Sequence, residues 1–362
     1  MRVSDMRRES SETRPSMTFD PAASPLERQQ HVAQVIAELS ADERPILLGP
    51  YRSEPGFEAL YWLPFLRYLA GKVPNFAARA SIVTRGGLAP LYTDVAHQGY
   101  DLFALRSVTE VRREALHDQH FRYKGQTIKQ IEPTDWDDAV LSDAADALGL
   151  GSVYHVVHPA LMYWALAPFW EEAMGLKYLH SLTSYQQLPA LKVVGNLPPD
   201  YVAMKWYGRP TFPYPHPEVG EFVQHIVATV AKQVPVVILK TESEYDDHVD
   251  IPIIGENVHL LPEGIPPEEN LKIQAAVLSN AKAFMGPYGG MAQLALRLGV
   301  PSVSFYTEFG ATSHAHLALS SWLSKASKVP FIAISLQDAV MVQQALVGKV
   351  AGVGLQPVGV AA

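Results

Sequence analysis

The sequence predicts an α/β chain of two doubly wound parallel-sheet domains facing a cleft. Three observations predict it. From Pro45 onward, short apolar runs alternate with amphipathic ones in a strand, loop, helix rhythm, the signature of a parallel sheet covered on both faces. The rhythm breaks at LPALKVVGNLPPD, Leu188–Asp200, and starts afresh at Val202. The tripeptide Gly-Pro-Tyr occurs twice, at Gly49 and Gly286, each time where an apolar strand runs into an amphipathic helix.

The chain of 362 residues is too long for one ordinary core and fits two domains of about 150 residues each. Residues 1–25 read as a disordered polar leader with no apolar h-region, hence no secretory signal. Ser24 is placed to cap a helix from Leu26 to Leu39, with Pro25 at its first position. The first domain then spans 26–196 and the second 197–350, with the prolines and glycine of Leu188–Asp200 as the linker.

In the first domain Ile46–Leu48 reads as a buried strand and Gly56–Tyr68 as a helix with Phe57, Leu60, Tyr61, Phe65 and Tyr68 on its apolar stripe. Ala80–Thr84 is a second strand, ended by Arg85-Gly86-Gly87. Leu102–Leu105 and Val153–Val157 read as further strands, with a helix over Asp135–Leu148 between them. His158-Pro159 opens the aromatic helix LMYWALAPFWEEAM, whose Tyr163, Trp164, Phe169 and Trp170 read as core. In the second domain the strands are Val202–Trp206, Val236–Lys240, Val258–Leu260, Ala283–Gly286 and Ser302–Tyr306. The helices are Pro217–Gln233, Asn270–Asn280, Gly290–Leu298 and Ser313–Lys325.

Composition narrows the function. Apolar residues make up 48% and charged residues 18%, and the formal charge of −8 argues against nucleic acid as a main partner, since phosphate neutralisation needs a basic face. The chain has no cysteine, which rules out disulfides and thiolate–zinc sites and suits a cytoplasmic location. No window holds about 18 consecutive apolar residues, so no transmembrane helix is expected, which leaves peripheral membrane contact open. No GxGxxG opens the first unit, and neither GxxxxGK[ST] nor GxSxG occurs. A classical dehydrogenase, a P-loop NTPase and an α/β-hydrolase all lose ground.

The two Gly-Pro-Tyr copies differ in the residues that come after them. After the second come Gly289 and Gly290 at a helix start, where unpaired N–H groups of Tyr288, Gly289, Gly290 and Met291 and a positive dipole end can hold an anion. The alternative is a tight strand–helix turn that happens to use glycine. In YVAMKWYGRP, Lys205 and Arg209 stand at the carboxyl end of the strand that should neighbour the Gly286 turn. There they are either diphosphate ligands, Arg209 bidentate, or solvated strand-end cations. In the loop TESEYDDHVD, Asp246, Asp247, His248 and Asp250 read either as ligands of a Mg²⁺ shared with substrate phosphates or as a solvated acidic loop; if it reaches the cleft, Asp247 or His248 more readily bonds a ribose, sugar hydroxyl or phosphate. His314 and His316 are two residues apart and share no helix face, which argues against a metal pair. His316 can contact a nucleotide, cap or pack.

After the first copy come Ser53, Glu54 and Glu58. Glu54 at a strand end can serve as general base for an attacking hydroxyl, or is simply an acid favoured by a helix N-terminus. Glu58, one turn further in, suits an inward structural hydrogen bond. The Arg85-Gly86-Gly87 turn can line the same cleft and hold a polar or anionic acceptor.

The segments YVAMKWYGRPTFP and NLKIQAAVLSNAKAFMGPYGGMAQLALRLGVPSVSFY resemble the donor domain of bacterial GT-B glycosyltransferases, notably heptosyltransferase-like and fucosyltransferase-like members. GPYRSEPGFEALYWLPFLRYL, with VTRGGLAPLY, is similar to the amino-terminal domain of an uncharacterised subfamily of that class. The resemblance covers about Pro45 to Leu336. It implies two Rossmann-like domains and transfer of a sugar from a nucleotide-diphosphate sugar to a glycan or other hydroxyl acceptor, in bacterial surface polysaccharide or glycoconjugate synthesis. It implies Lys205 and Arg209 as diphosphate binders, Gly286 and Tyr288–Gly290 as the phosphate cradle, and Tyr306 and His316 near the nucleoside. Glu54 falls where heptosyltransferases place an acidic base, although the local string is not theirs. Ser53, Arg85 and Gly86 then face the acceptor. Metal-independent transfer without a cofactor is expected. A nucleotide-sugar epimerase on the same architecture and a non-catalytic nucleotide-sugar-binding protein are the alternatives.

Overall fold

Short, wholly apolar segments set the centre of each sheet. The structure is a computed structural model and describes residues 19–120, 130–192, 195, 197–208, 212, 217–240, 249–307 and 313–336. Helix α1, Pro25–Ser40, begins at a capping box. Ser24 Oγ accepts from Glu27 N, Glu27 Oε2 accepts from Ser24 N at 2.6 Å, and Pro25 takes the first helical position. The expected leader is already tied down from Phe19, which stacks on Trp164 with centroids 5.2 Å apart, while Trp164 Nε1 donates to Asp20 O.

Strand β1, Ile46–Leu48, is completely buried and leads through Gly49 and Pro50 into α2, Pro55–Phe57. One π turn, Glu58–Trp62, joins α2 to α3, Leu63–Ala70. Next come α4 (Phe76–Arg79), β2 (Ala80–Thr84) and β3 (Gln98–Asp101). The expected strand at Leu102–Leu105 is instead the short helix α5, Leu102–Leu105. The reason is local: the Asp101 carboxylate accepts from Phe103 N at 2.9 Å and caps a helix where the apolar run alone reads as strand. Helices α6 (Val108–His120) and α7 (Asp135–Ala147), strand β4 (His155–Val157), and helices α8 (Pro159–Trp170) and α9 (Leu176–His180) complete this half.

The second series runs β5 (Val202–Met204), β6 (Tyr207–Gly208), α10 (Pro217–Ala231), β7 (Val236–Ile238), β8 (Val249–Asp250) and β9 (Val258–Leu260). It continues with α11 (Pro267–Ser279), β10 (Ala283–Pro287), α12 (Gly290–Arg297), β11 (Ser302–Tyr306), α13 (Ser313–Ser327) and β12 (Phe331–Ser335). Strand β12 is not among the expected elements, and it pairs along β11 from Ser302↔Phe331 to Tyr306↔Ser335.

Two parallel sheets result. The four-stranded one has the order β3-β2-β1-β4 and the six-stranded one β12-β11-β10-β5-β7-β9. Each reverses its winding once, between β1 and β4 in the first sheet and between β5 and β10 in the second. Such reversal points leave a crevice outside the carboxyl ends of the strands, where α/β proteins bind ligands. A small antiparallel pair, β6 with β8, lies next to the second crevice in sequence.

The sheets are joined by more than the chain. Trp62, Phe65, Leu66 and Trp170 from the first half and Ala292, Leu294, Leu296 and Leu319 from the second belong to one contiguous apolar cluster. Arg297, buried between the halves, donates from Nε to Ala59 O at 3.2 Å and from Nη2 to Gln186 O at 2.6 Å. Leu188, at the start of the expected linker, is buried and donates its N–H to Arg297 O at 2.9 Å. Among the described residues no helix is long and apolar enough to cross a membrane.

Candidate functional site

The reversal point of the larger sheet is built by β5 and β10, in register Ala283↔Val202 to Met285↔Met204. Lys205 is the first residue beyond β5, and its N–H donates to Met285 O at 3.3 Å. A Cβ on Gly286 would collide with Lys205 O, so glycine is what lets the exit of β5 lie against β10 at this height. Lys205 Nζ donates to Gln274 Oε1 on α11 at 3.0 Å and lies 6.0 Å from the centroid of the Tyr207 ring. Lys205 and the Gly286 turn, expected to be neighbours from strand order alone, are therefore in contact.

The turn after β10 supplies fewer donors than the sequence promises. Tyr288 N donates to Phe305 O at 2.7 Å and is used inside the sheet. That leaves Gly289, Gly290 and Met291 at the start of α12, where helix geometry provides no intrahelical acceptor. The Tyr288 ring is buried between Tyr306 and Phe331, with centroids at 6.3 and 6.1 Å. Gly290 serves close packing. A Cβ there would lie 3.1 Å from Gly56 N, and one on Gly56 would lie 2.7 Å from Gly290 Cα and collide with Gln293 Oε1. The segments beyond the two Gly-Pro-Tyr copies thus meet backbone to backbone.

That contact brings the acceptor-side candidates to the same place. Glu54 is the N-cap residue of α2, half-buried, with its backbone carbonyl accepting from Tyr51 Oη at 3.0 Å and Glu58 N at 3.1 Å. Ser53 is buried, and its Oγ has no hydrogen-bond partner among the described residues. Its carbonyl accepts from Arg85 Nε at 3.1 Å and Nη2 at 2.5 Å, so the buried Arg85 guanidinium fixes the strand end that carries Glu54. Gly86 and Gly87 adopt left-handed φ of 64° and 79°, which favours glycine. Their turn docks on α11, where Lys272 N donates to Gly86 O at 2.7 Å. On the other side Gly87 N donates to Asp101 Oδ2 at 2.6 Å. Burial pushes the Asp101 carboxyl up to about 6, against the pull of the Gly87, Phe103 and Gly86 amides and the Arg85 charge.

Two buried carboxyl groups lie deeper. Glu58 makes the inward structural bonds expected of it: Oε1 accepts from Thr84 Oγ1 at 2.7 Å and Tyr92 Oη at 2.5 Å. Burial raises its carboxyl above the usual range, offset in part by Tyr92, Arg85 and Thr84. At the β1/β4 reversal point, Asp137 Oδ2 lies 3.2 Å from Arg52 Nη2 and 3.4 Å from His158 Nε2, all three fully or almost fully buried. Burial works to raise Asp137, but hydrogen bonding and charge from His158 and the Arg52 charge outweigh it and hold it low. His158 Nδ1 accepts from Ala160 N at 3.1 Å, capping α8, which leaves Nε2 as the N–H toward Asp137. With Nδ1 capping α8 and Nε2 facing the Asp137 carboxylate inside a fully buried site, His158 locks an element rather than serving as a base. Sequence reasoning passed over this trio because its members are 85 and 21 positions apart in the chain; only the His158-Pro159 helix start marked one of them.

His316 is buried on α13, its Nδ1 2.5 Å from Tyr61 Oη and its ring edge-on to Phe57 with centroids 4.7 Å apart. It bridges the two halves by packing. Tyr306 is half-buried at the end of β11. Arg209, Asp247 and His248 lie outside the described residues. Among the described residues no three His, Asp or Glu side chains converge to hold a metal ion.

No family model matches the chain, and no curated protein matches it. Solved structures that resemble it include the glycosyl transferase family 9 protein from Veillonella parvula, at 13% identity over 85% of this chain and 90% of that one, with a TM-score of 0.42. ADP-heptose LPS heptosyltransferase II of E. coli gives 14% identity over 84% and 99%, with a TM-score of 0.42. The iron-containing dodecameric glycosyltransferase TibC from enterotoxigenic E. coli gives 12% identity and a TM-score of 0.39 over 72% of this chain, which spans 58% of the TibC chain.

Proposed function

We propose that the chain is a glycosyltransferase that moves a sugar from a nucleotide-diphosphate sugar to a hydroxyl acceptor. The observation that carries this reading is the convergence at the β5/β10 crevice: Lys205 against the Gly286 turn, and the α12 start against the Glu54 strand end through Gly56 and Gly290. A cation and a helix N-terminus at one crevice meet the charge of a leaving diphosphate. A half-buried carboxylate next to them meets the proton of an attacking hydroxyl.

In this reading Lys205 and the N–H groups of Gly289, Gly290 and Met291 hold the donor diphosphate, and Arg209 joins them bidentately. The acceptor oxygen attacks the anomeric carbon and its proton passes to Glu54. The bond from that carbon to the diphosphate oxygen breaks, and the nucleoside diphosphate leaves with its added charge met by the same cations. Ser53, Arg85 and Gly86 border the acceptor side. Because Pro55 and Gly56 sit on Gly290, that contact must open for a phosphate to reach the α12 start. A second reading is a nucleotide-sugar-binding protein without turnover. An epimerase would use the same cradle.

The test is a thermal-shift screen of UDP-, GDP-, ADP-, CMP- and dTDP-sugars, followed by turnover assays on any hit. A ligand at a hundredfold excess over its dissociation constant adds about 2.7 kcal/mol of stability. A hit with acceptor-dependent release of nucleoside diphosphate supports transfer, and an isomerised sugar without acceptor supports epimerisation. Binding with no turnover favours the second reading, and no response to any nucleotide removes the donor site.

A further inference from the structure

We infer that Gln274 is the positioning residue of Lys205, fixing the ammonium at the mouth of the β5/β10 crevice through a neutral amide. The inference rests on the donor reading above and adds to it how the lysine is aimed. Lysine can only donate, so Gln274 must turn Oε1 toward it, at 3.0 Å. The amide nitrogen is then left for Asn270, whose Oδ1 accepts from Gln274 Nε2 at 2.5 Å. Gln274 is 0% exposed and Asn270 8%.

These two amides sit four residues apart on α11, on neighbouring turns of one helix face. Ala275, Ala276, Val277 and Leu278, the next residues along, are all buried and apolar, so packing alone does not call for an amide pair here. A buried polar side chain that leaves no end unbonded costs least when its partners are fixed. Helix α11 is fixed from the other side, where the Gly86-Gly87 turn docks on Leu271 and Lys272. The acceptor-side turn and the donor-side lysine are thus both seated on the first turns of one helix.

The chemistry of the partner matters. A carboxylate at position 274 would pair with the ammonium at about 3 Å and oppose its attraction for a phosphate. An amide orients the same ammonium without adding a negative charge beside it. The ligand class that this arrangement fits is a diphosphate with charge to place beside β5.

The test uses inorganic pyrophosphate, titrated calorimetrically into the full chain. Gln274→Glu is expected to weaken pyrophosphate binding at least tenfold and Gln274→Met to weaken it less, both melting a few degrees below wild type because the buried Asn270 Oδ1 loses its donor. In a Lys205→Met background Gln274→Met should not change the affinity further, because a residue that acts through Lys205 has nothing left to aim. Equal weakening with and without Lys205 would overturn the inference by assigning Gln274 to the fold. If Lys205→Met abolished binding while Gln274→Glu left it unchanged, the positioning role would fall and the donor reading would stand. If wild type bound neither pyrophosphate nor any nucleotide diphosphate, both would fall. Should Gln274→Glu not fold, Gln274→Met and its double variant carry the comparison.

Discussion

Gly56 and Gly290 meet backbone to backbone, 234 residues apart in sequence, with an added Cβ on Gly56 only 2.7 Å from Gly290 Cα. The strand-to-helix turns after β1 and β10 are therefore parts of one junction. Helix starts carry positive partial charge, and here two of them, α2 and α12, are brought together beside Glu54.

Gly56→Ala should destabilise the protein by about 1–3 kcal/mol, since the clash on one side is with backbone that cannot swing away. Denaturant midpoints would show it. Gly175→Ala, where an added Cβ meets nothing within 4 Å, is the matched control and should change stability little.

Tyr61→Phe removes the hydroxyl that faces His316 Nδ1 across the two halves. A loss of about 1 kcal/mol is expected. If that bond couples the halves, Tyr61→Phe should cost much less in a His316→Phe background, read as a double-mutant cycle.

Asp101 predicts a pH dependence with a definite sign. Its carboxyl is raised from 3.8 to about 6 in the folded protein, mainly by burial, so between these values the native state holds a proton that the unfolded chain has released. Stability from this group is therefore present at low pH and is lost as pH rises from about 4 to about 6. Wild type should lose stability relative to Asp101→Asn across that window and run parallel to it above. A difference that is flat from pH 4 to pH 7 would contradict the assignment.

Glu54→Gln should lower turnover by about 10²–10⁴ while leaving donor affinity near wild type, as expected of a general base. Arg209→Ala should weaken donor binding and slow transfer together. If both variants kept full activity, the proposed roles would be wrong.

Much of the architecture was legible because local rules agreed with the fold. Ile46–Leu48, Ala80–Thr84 and Ser302–Tyr306 are strands where apolar runs end in turn residues, and the Ser24–Glu27 capping box starts α1 where it should. The pairing of Lys205 with the Gly286 turn followed from parallel strand order. Leu102–Leu105 misread because four apolar residues fit either period, and a carboxylate one position upstream decided the matter. What the glycines do at Gly290 and Gly286 was illegible for a different reason. A glycine announces a close approach but not its partner, and here the partners are Gly56 and the Lys205 carbonyl. Gln274 was illegible too, since a buried amide in a helix looks like a surface one until its partner 69 residues away is known.

The apolar cluster that runs unbroken from Trp62 and Leu66 to Leu294 and Leu319 has a thermodynamic consequence. Separating the sheets exposes core, at about 25 cal/mol for each Å² of apolar surface wetted. The chain should therefore melt as a single cooperative unit, and neither half cut out at residue 196 should hold its structure alone.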